Sequence, residues 1–278
     1  NLTGAKIKLI QGYRGSFDIK LAIERGEVYG LCGLPTSTAR TEWRDMLDSG
    51  RIRFFLQLGR KKHPDLAEVT HIYDYAKSDE DRFVSRAGLK LGGALAAFGI
   101  DPSGMACLDV GQSTGGFTDC VLNAGASRVV GVDVGHDQLH PSLLGDARVV
   151  CIQGVNARSL TPEALALHLG GVVPVFDLVV ADLSFVSLTL VMPALDAFMS
   201  PDTMAVCLVK PQFELSADRI GKGGLVKNPA DHERVQSRVR QAAHDVGWQV
   251  RHWLNSPIAG GDGNREFFLI AQKSGSEG

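Results

Sequence analysis

Residues 105–120, Met-Ala-Cys-Leu-Asp-Val-Gly-Gln-Ser-Thr-Gly-Gly-Phe-Thr-Asp-Cys, constrain this chain more than any other stretch. The apolar run through Leu108-Asp109-Val110 predicts a buried strand. Gly111, Gly115 and Gly116 then crowd a tight turn, and Phe117 onward has helical character. Strand, glycine turn and helix in that order place free backbone N–H groups at the carboxyl end of a parallel sheet, where α/β proteins bind nucleotide-like ligands. A helix is predicted ahead of the turn, through Phe98 to Gly99. Downstream, residues 127–133, 149–153, 175–181, 204–209 and 267–271 read as strands, and 188–198 and 231–246 as helices. That alternation predicts an α/β fold, a mostly parallel sheet with helices on both faces.

Three chemistries overlap on the turn. Gly111-Gln112-Ser113-Thr114-Gly115 fits the G-x-S-x-G nucleophile elbow, which would make Ser113 a hydrolase nucleophile with His232, His244 or His252 as its base. A dinucleotide site would use Asp133, about twenty residues on, but Gln112-Ser113 breaks its first glycine pair. The third reading uses the most residues. Asp109 meets the ammonium of S-adenosylmethionine, Asp133 accepts both ribose hydroxyls as a bidentate carboxylate, and the glycines let the backbone approach the cofactor.

Composition narrows the classes. A net charge of −2 argues against a global basic field for nucleic acid. Cys32, Cys107, Cys120, Cys151 and Cys207 lie far apart without Cys-x-x-Cys spacing, so they read as reduced thiols of a cytoplasmic protein rather than zinc ligands or disulfides. No apolar run approaches the ~20 residues of a membrane span. The chain opens Asn1-Leu2-Thr3, which reads as a fragment lacking its natural start.

Residues 1–81 differ in character. Strands at 6–10, 28–31 and 52–58 with helices at 17–25 and 38–47 predict a partial βαβαβ block. Gly12-Tyr13-Arg14-Gly15, Ala22-Ile23-Glu24-Arg25-Gly26-Glu27-Val28 and Lys62-His63-Pro64-Asp65-Leu66 resemble one lobe of the solute receptors of tripartite tricarboxylate transporters. Only part of one lobe is covered, so no binding site is inferred. A fusion or assembly join near residues 79–83 is the expectation.

Lys90, Asp182, Lys210 and Glu266 stand at or beside element boundaries on the cofactor side of the predicted sheet. Singly each reads as a solvated charge or a cap, but two lysines and two carboxylates from four distant segments form a set. Ser85-Arg86-Ala87-Gly88-Leu89-Lys90-Leu91, Leu108-Asp109-Val110-Gly111, Ser113-Thr114-Gly115-Gly116-Phe117-Thr118-Asp119, Ala181-Asp182-Leu183-Ser184-Phe185-Val186-Ser187, Leu208-Val209-Lys210-Pro211-Gln212-Phe213-Glu214, Gly221-Lys222-Gly223-Gly224 and Gly263-Asn264-Arg265-Glu266-Phe267 closely resemble the TlyA family. That family is also called haemolysin A, and its catalytic domain is of the FtsJ type. The resemblance covers residues 82–278. It implies a Rossmann-like, S-adenosylmethionine-dependent methyltransferase acting on ribose 2′-hydroxyls of ribosomal RNA or ribosomal subunits. The family's Lys-Asp-Lys-Glu tetrad maps onto Lys90, Asp182, Lys210 and Glu266.

Those residue types suit the chemistry. A sulfonium methyl is already activated, so no metal is needed, and a lysine at the hydroxyl can take its proton or stabilise the alkoxide. Lys210 is assigned that place, Asp182 and Glu266 orient it, and Lys90 is the electrostatic partner. The cofactor set is Asp109, Gly111, Ser113, Thr114, Gly115, Gly116, Phe117, Asp133, Asn156 and Asp182. Gln112 stands where the family has a small residue and is expected to crowd the ligand. Members usually begin with a small RNA-binding domain, replaced here by the receptor-like block. Residues 82–278 carry a net −3 and residues 1–81 a net +1, so weak rRNA methylation is expected. Two other classes stay open: a membrane-active haemolysin, and a non-catalytic cofactor- or RNA-binding module.

Overall fold

A computed structural model of the chain describes residues 10, 13–32, 34–57, 63–70 and 83–274. It divides into two compact units, Asn1–Arg82 and Phe83–Gly278.

Among its described residues the first unit is helical, with α1 (Ser16–Glu24), α2 (Thr36–Glu42) and α3 (Arg44–Asp48). The helix predicted over 38–47 is two helices, broken at the buried Trp43, where φ is −115° and ψ 14°. The βαβαβ expectation is corrected here. Among the described residues, 28–31 and 52–56 belong to no strand ladder. Gln57 is a bridge residue, its N–H donating to Thr70 O at 2.8 Å. Its side chain ties Leu66 O, Val69 O and His63 N together at 2.7–2.8 Å. The strand expected at 6–10 falls almost wholly outside the described residues.

The second unit runs α4 (Arg86–Phe98), β1 (Ala106–Val110), α5 (Gly116–Asn123), β2 (Arg128–Val132), α6 (Pro141–Leu144), β3 (Val149–Ile152), α7 (Pro162–His168), β4 (Leu178–Ala181), α8 (Met192–Asp196), β5 (Met204–Val209), α9 (Pro211–Glu214), α10 (Pro229–Asp245), β6 (Trp248–Asn255) and β7 (Phe267–Lys273). The sheet order is β3-β2-β1-β4-β5-β7-β6. The first five strands are parallel, and β7 lies antiparallel to both β5 and β6. Strands β1, β4 and β5 are apolar runs buried on both faces, as a covered parallel sheet requires. One core layer holds Leu91, Leu95, Phe117, Val121 and Phe268 beneath α4 and α5. The other holds Leu165, Met192, Leu195, Val235 and Val239 beneath α7, α8 and α10.

Chain order reverses direction across the sheet between β1 and β4. In such a sheet, ligands bind at that switch point, outside the carboxyl ends of the strands. The antiparallel placement of β7 adds a further feature. Phe267 pairs with Val209, so the residue entering β7 emerges at the same edge as the residue leaving β5.

Candidate active site

The glycine turn is built as a close approach. Gly111 has φ +84°, and a Cβ there would lie 2.5 Å from Asp182 O across the switch point. Gly115 has φ +88°, and a Cβ there would lie 2.3 Å from Leu143 Cδ1. Both positions therefore need glycine for backbone and for space. Asp133, just past β2, fixes the outer side of the turn, accepting from Ser113 N and Gly135 N at 2.7 Å each.

A cavity of about 670 Å³ opens at this edge, lined among others by Gly111, Ser113, Asp133, Val134, Asn156, Asp182, Ser184 and Phe185. Its size suits a nucleoside-type ligand. A larger hollow of about 880 Å³ belongs to the first unit; it is mostly apolar, with Arg51, Arg53 and His63 on its wall and Arg51 paired with Glu24 and Asp45. The switch-point cavity is the better candidate because charged groups converge on it.

Of the predicted cofactor residues, Gly111, Ser113, Asp133, Asn156 and Asp182 line the cavity. The others do not. Thr114 faces a separate hollow beside His140. Gly115 and Gly116 pack under Leu143 and Ser85, and Phe117 stacks on Phe268 in the core at 6.2 Å. Asp109 is fully buried, its Oδ2 accepting from Thr118 Oγ1 at 2.6 Å. It shares a face of β1 with Cys107, the side covered by α5, so it underpins the turn from below rather than facing a ligand. Burial pushes its carboxyl up to about 7, against the Thr118 hydrogen bond, and its Oδ1 has no hydrogen-bond partner.

Gln112 does not crowd the cavity. Its side chain is buried, turned into the gap over Gly131, and donates from Nε2 to Thr118 Oγ1 at 2.9 Å.

The four charged residues form two ion pairs. Lys90, buried on α4, reaches Glu266 Oε2 at 2.6 Å. Lys210, directly after β5, reaches Asp182 Oδ1 at 2.6 Å and donates to Ser184 Oγ at 2.9 Å. Burial raises the Glu266 carboxyl, while the Lys90 hydrogen bond and the charges of Lys90 and Lys210 pull it back down. The two pairs thus share one electrostatic environment, with β7 supplying the acid and β5 the central lysine.

Several participants carried no assigned role in the sequence. Glu214, buried at the end of α9, accepts from Ser187 Oγ at 2.5 Å and Leu188 N at 2.7 Å. Asn264, also buried, accepts from Val226 N at 2.8 Å and donates to Gly224 O at 2.9 Å and Asp262 Oδ2 at 2.8 Å. Both stand inside runs carrying the resemblance, and only their neighbours' charges drew attention. The hydrolase triad is not assembled. His232 packs edge-on to Phe267, His252 lies against Phe98, and His244 sits beside Asp245. Arg238 on α10 donates to Glu214 O at 2.7 Å. Among the described residues no helix is long and apolar enough to cross a membrane, and no three His, Cys, Asp or Glu side chains gather as a metal site.

Comparison with known proteins agrees with this geometry. The model of the FtsJ-like methyltransferase family matches residues 83–273. The 16S/23S rRNA (cytidine-2′-O)-methyltransferase TlyA of Mycobacterium tuberculosis is 43% identical over 231 residues, 83% of this chain and 83% of that protein. Solved structures of hemolysin-named proteins are similar too. That from Streptococcus thermophilus is 40% identical with a TM-score of 0.65, covering 70% of this chain and 68% of its own. That from Lactococcus lactis is 36% identical with a TM-score of 0.65, covering 69% and 89%. Only 196 residues follow Arg82, so at least 35 of the 231 positions matched to the Mycobacterium protein lie in the first unit. The likeness therefore continues upstream of the unit boundary, which the receptor resemblance does not account for.

Proposed function

The chain belongs to the FtsJ-like methyltransferase family, and on that premise we propose that it transfers a methyl group from S-adenosylmethionine to a ribose 2′-hydroxyl of ribosomal RNA, acting in the cytoplasm. The observation that carries this reading is the double position of Asp182. It lines the switch-point cavity, and its carboxylate holds Lys210 Nζ at 2.6 Å. A cofactor in the cavity is thereby next to a lysine placed to meet an incoming hydroxyl.

The residues present fit the cofactor. Both Asp133 oxygens already accept a backbone N–H and keep acceptor capacity for two ribose hydroxyls. The Gly111 and Ser113 backbone lies along the cavity wall, and Asn156 stands on the side suited to the base. When bound, S-adenosylmethionine supplies a methyl group activated on a sulfonium. The chain's own residues do the rest. Lys210 in its neutral form accepts the hydroxyl proton as the oxygen takes the methyl. Asp182 holds the lysine at the cavity mouth. Lys90 balances Glu266 and adds positive potential where alkoxide charge develops.

An RNA substrate is supported by the surface beside this site. Phe185 is 93% exposed, with its ring centroid 5.3 Å from that of Phe213. Such an aromatic pair offers a stacking face for an unpaired base. With net −3 over residues 82–278, phosphate attraction rests on local patches, and turnover is expected to be weak and to fall steeply with salt.

The test is isotope-labelled methyl transfer to ribosomal subunits, followed by nuclease digestion and mass spectrometry of the nucleosides. The expected product is a 2′-O-methylnucleoside that is absent with Lys210→Ala, although that variant still binds S-adenosylmethionine by calorimetry. Label on a base, or near-normal turnover by the variant, refutes the reading.

A further inference from the structure

Lys210 has a second partner beyond the tetrad. Its Nζ donates to Ser184 Oγ at 2.9 Å while Asp182 Oδ1 lies 2.6 Å away. The Lys210 side chain is only 13% exposed. Ser184 lies on the cavity wall, between the cofactor space and the lysine.

The backbone carrying Ser184 is held in place at some cost. Phe185, the next residue, has φ +63°, a left-handed conformation that strains a non-glycine residue and persists only where the surroundings over-determine it. The surroundings do so here. Glu214 clamps Ser187 Oγ and Leu188 N, and the Phe185 ring leans on Phe213. The segment after β4 is therefore strapped to the segment after β5 immediately past Ser184.

We propose that Ser184 is a positioning residue for methyl transfer: by accepting the hydrogen bond that Lys210 Nζ donates beside the Asp182 carboxylate, it fixes the rotation of the amine. A neutral amine has two N–H bonds and one lone pair. With one N–H committed to Ser184 Oγ, the lone pair has two directions left about the Cε–Nζ bond, and the Asp182 carboxylate, 2.6 Å from the nitrogen, disfavours the one that faces it, leaving the other for the ribose hydroxyl. Without Ser184 the amine turns about its Cε–Nζ bond and presents an N–H to the substrate for part of the time. This inference rests on the reading of Lys210 as the proton acceptor.

The experiment compares full-length wild type, Ser184→Ala, Ser184→Thr and Lys210→Ala. Methyl transfer to ribosomal subunits is measured at saturating and limiting substrate, S-adenosylmethionine affinity by calorimetry, and thermal midpoint in parallel. Ser184→Ala is expected to lower kcat about 10- to 100-fold, the scale of lost orientation. KM for subunits, cofactor affinity and the midpoint should stay at wild-type values, and Ser184→Thr should restore most of kcat. Wild-type kcat in Ser184→Ala with Lys210→Ala inactive overturns the role of Ser184 alone. So does a loss that lies in cofactor affinity, or a Ser184→Thr variant as slow as Ser184→Ala. Near-normal turnover by Lys210→Ala instead overturns the reading on which the inference rests.

Discussion

Gly131 and Gln112 should behave as one unit, and a double-mutant cycle can test it. Gly131 lies in β2 opposite Asp109, and a Cβ built on it would fall 2.0 Å from Gln112 Cδ and Nε2. Gly131→Ala must therefore expel a buried amide from beneath the cofactor turn. Overpacking costs about 1–3 kcal/mol, and losing the Gln112–Thr118 hydrogen bond adds about 1 kcal/mol. The single variant should lose roughly 3 kcal/mol. Gln112→Ala removes that hydrogen bond and some packed methylene. It also removes Oε1, a buried acceptor with no partner, whose desolvation penalty is about 1–3 kcal/mol. Its net cost should be near 1 kcal/mol. In the double variant the methyl introduced by Gly131→Ala enters the vacated space, so the total should stay near 1 kcal/mol, with a coupling energy of about 2–3 kcal/mol. At roughly 2–4 °C per kcal/mol for a unit of this size, the Gly131→Ala midpoint should fall by about 6–12 °C and largely recover on adding Gln112→Ala. Thermal and urea melts of the four proteins read this directly. Two singles that add within about 0.5 kcal/mol would place the Gln112 side chain outside the gap. Weaker cofactor binding by Gln112→Ala would place it in the cavity.

Three further outcomes follow from buried groups. Asp109 titrates near 7 when folded against 3.8 ordinarily, so the folded state holds a proton that the unfolded chain releases. Its stabilising contribution is fully present below about pH 4 and fades as pH rises through 7, by up to about 4 kcal/mol. Asp109→Asn should flatten melting temperature against pH between 5 and 8 while leaving cofactor affinity unchanged, and a steep loss of affinity would restore Asp109 to ligand contact. Asn264→Ala leaves Val226 N and Gly224 O without partners, which should cost about 2–4 kcal/mol and speed exchange of the Val226 amide. Cys107, Cys120 and Cys207 are buried, with thiols pushed up to about 12. A thiol reagent should label exposed Cys32 first and these three only after unfolding, and early labelling of Cys207 would contradict the packed sheet.

The central strands were legible because parallel strands buried on both faces are nearly continuous apolar runs, with Asp109 the one charged residue in β1. Met204–Val209 is read to the residue, and the helix predicted at 231–246 forms as Pro229–Asp245. Strand β6 was not legible. It is half-exposed, and a register shift between Val250 and His252 breaks its alternation. The helix read over 188–198 is interrupted, with α8 starting afresh at Met192 and Pro193 in its first turn. At the site, Lys90, Asp182, Lys210 and Glu266 stand out in the sequence as a set of charges, and the structure joins them as two ion pairs. The burial of Asp109 away from the cavity was not legible, because a strand's last residues alternate between the two faces and spacing to the glycine turn does not say which face looks at the cavity. Gln112 was misread for a related reason. Where its side chain goes depends on a missing Cβ nineteen positions on, at Gly131.

The reversal of β7 divides the site into parts that can fail separately. The switch-point cavity is walled by residues following β1, β2, β3 and β4, whereas Glu266 arrives on a hairpin whose outer strand, β6, pairs with β7 alone among the described strands. Lys90 and Glu266, 176 positions apart, meet only once that hairpin has docked on β5. Because proteins open in cooperative pieces, and edge hairpins are among the cheaper ones, partial opening here would give a molecule that still holds its cofactor but has lost the acid. Binding would outlast turnover as denaturant rises, and the gap between the two would measure how firmly the last strand is seated.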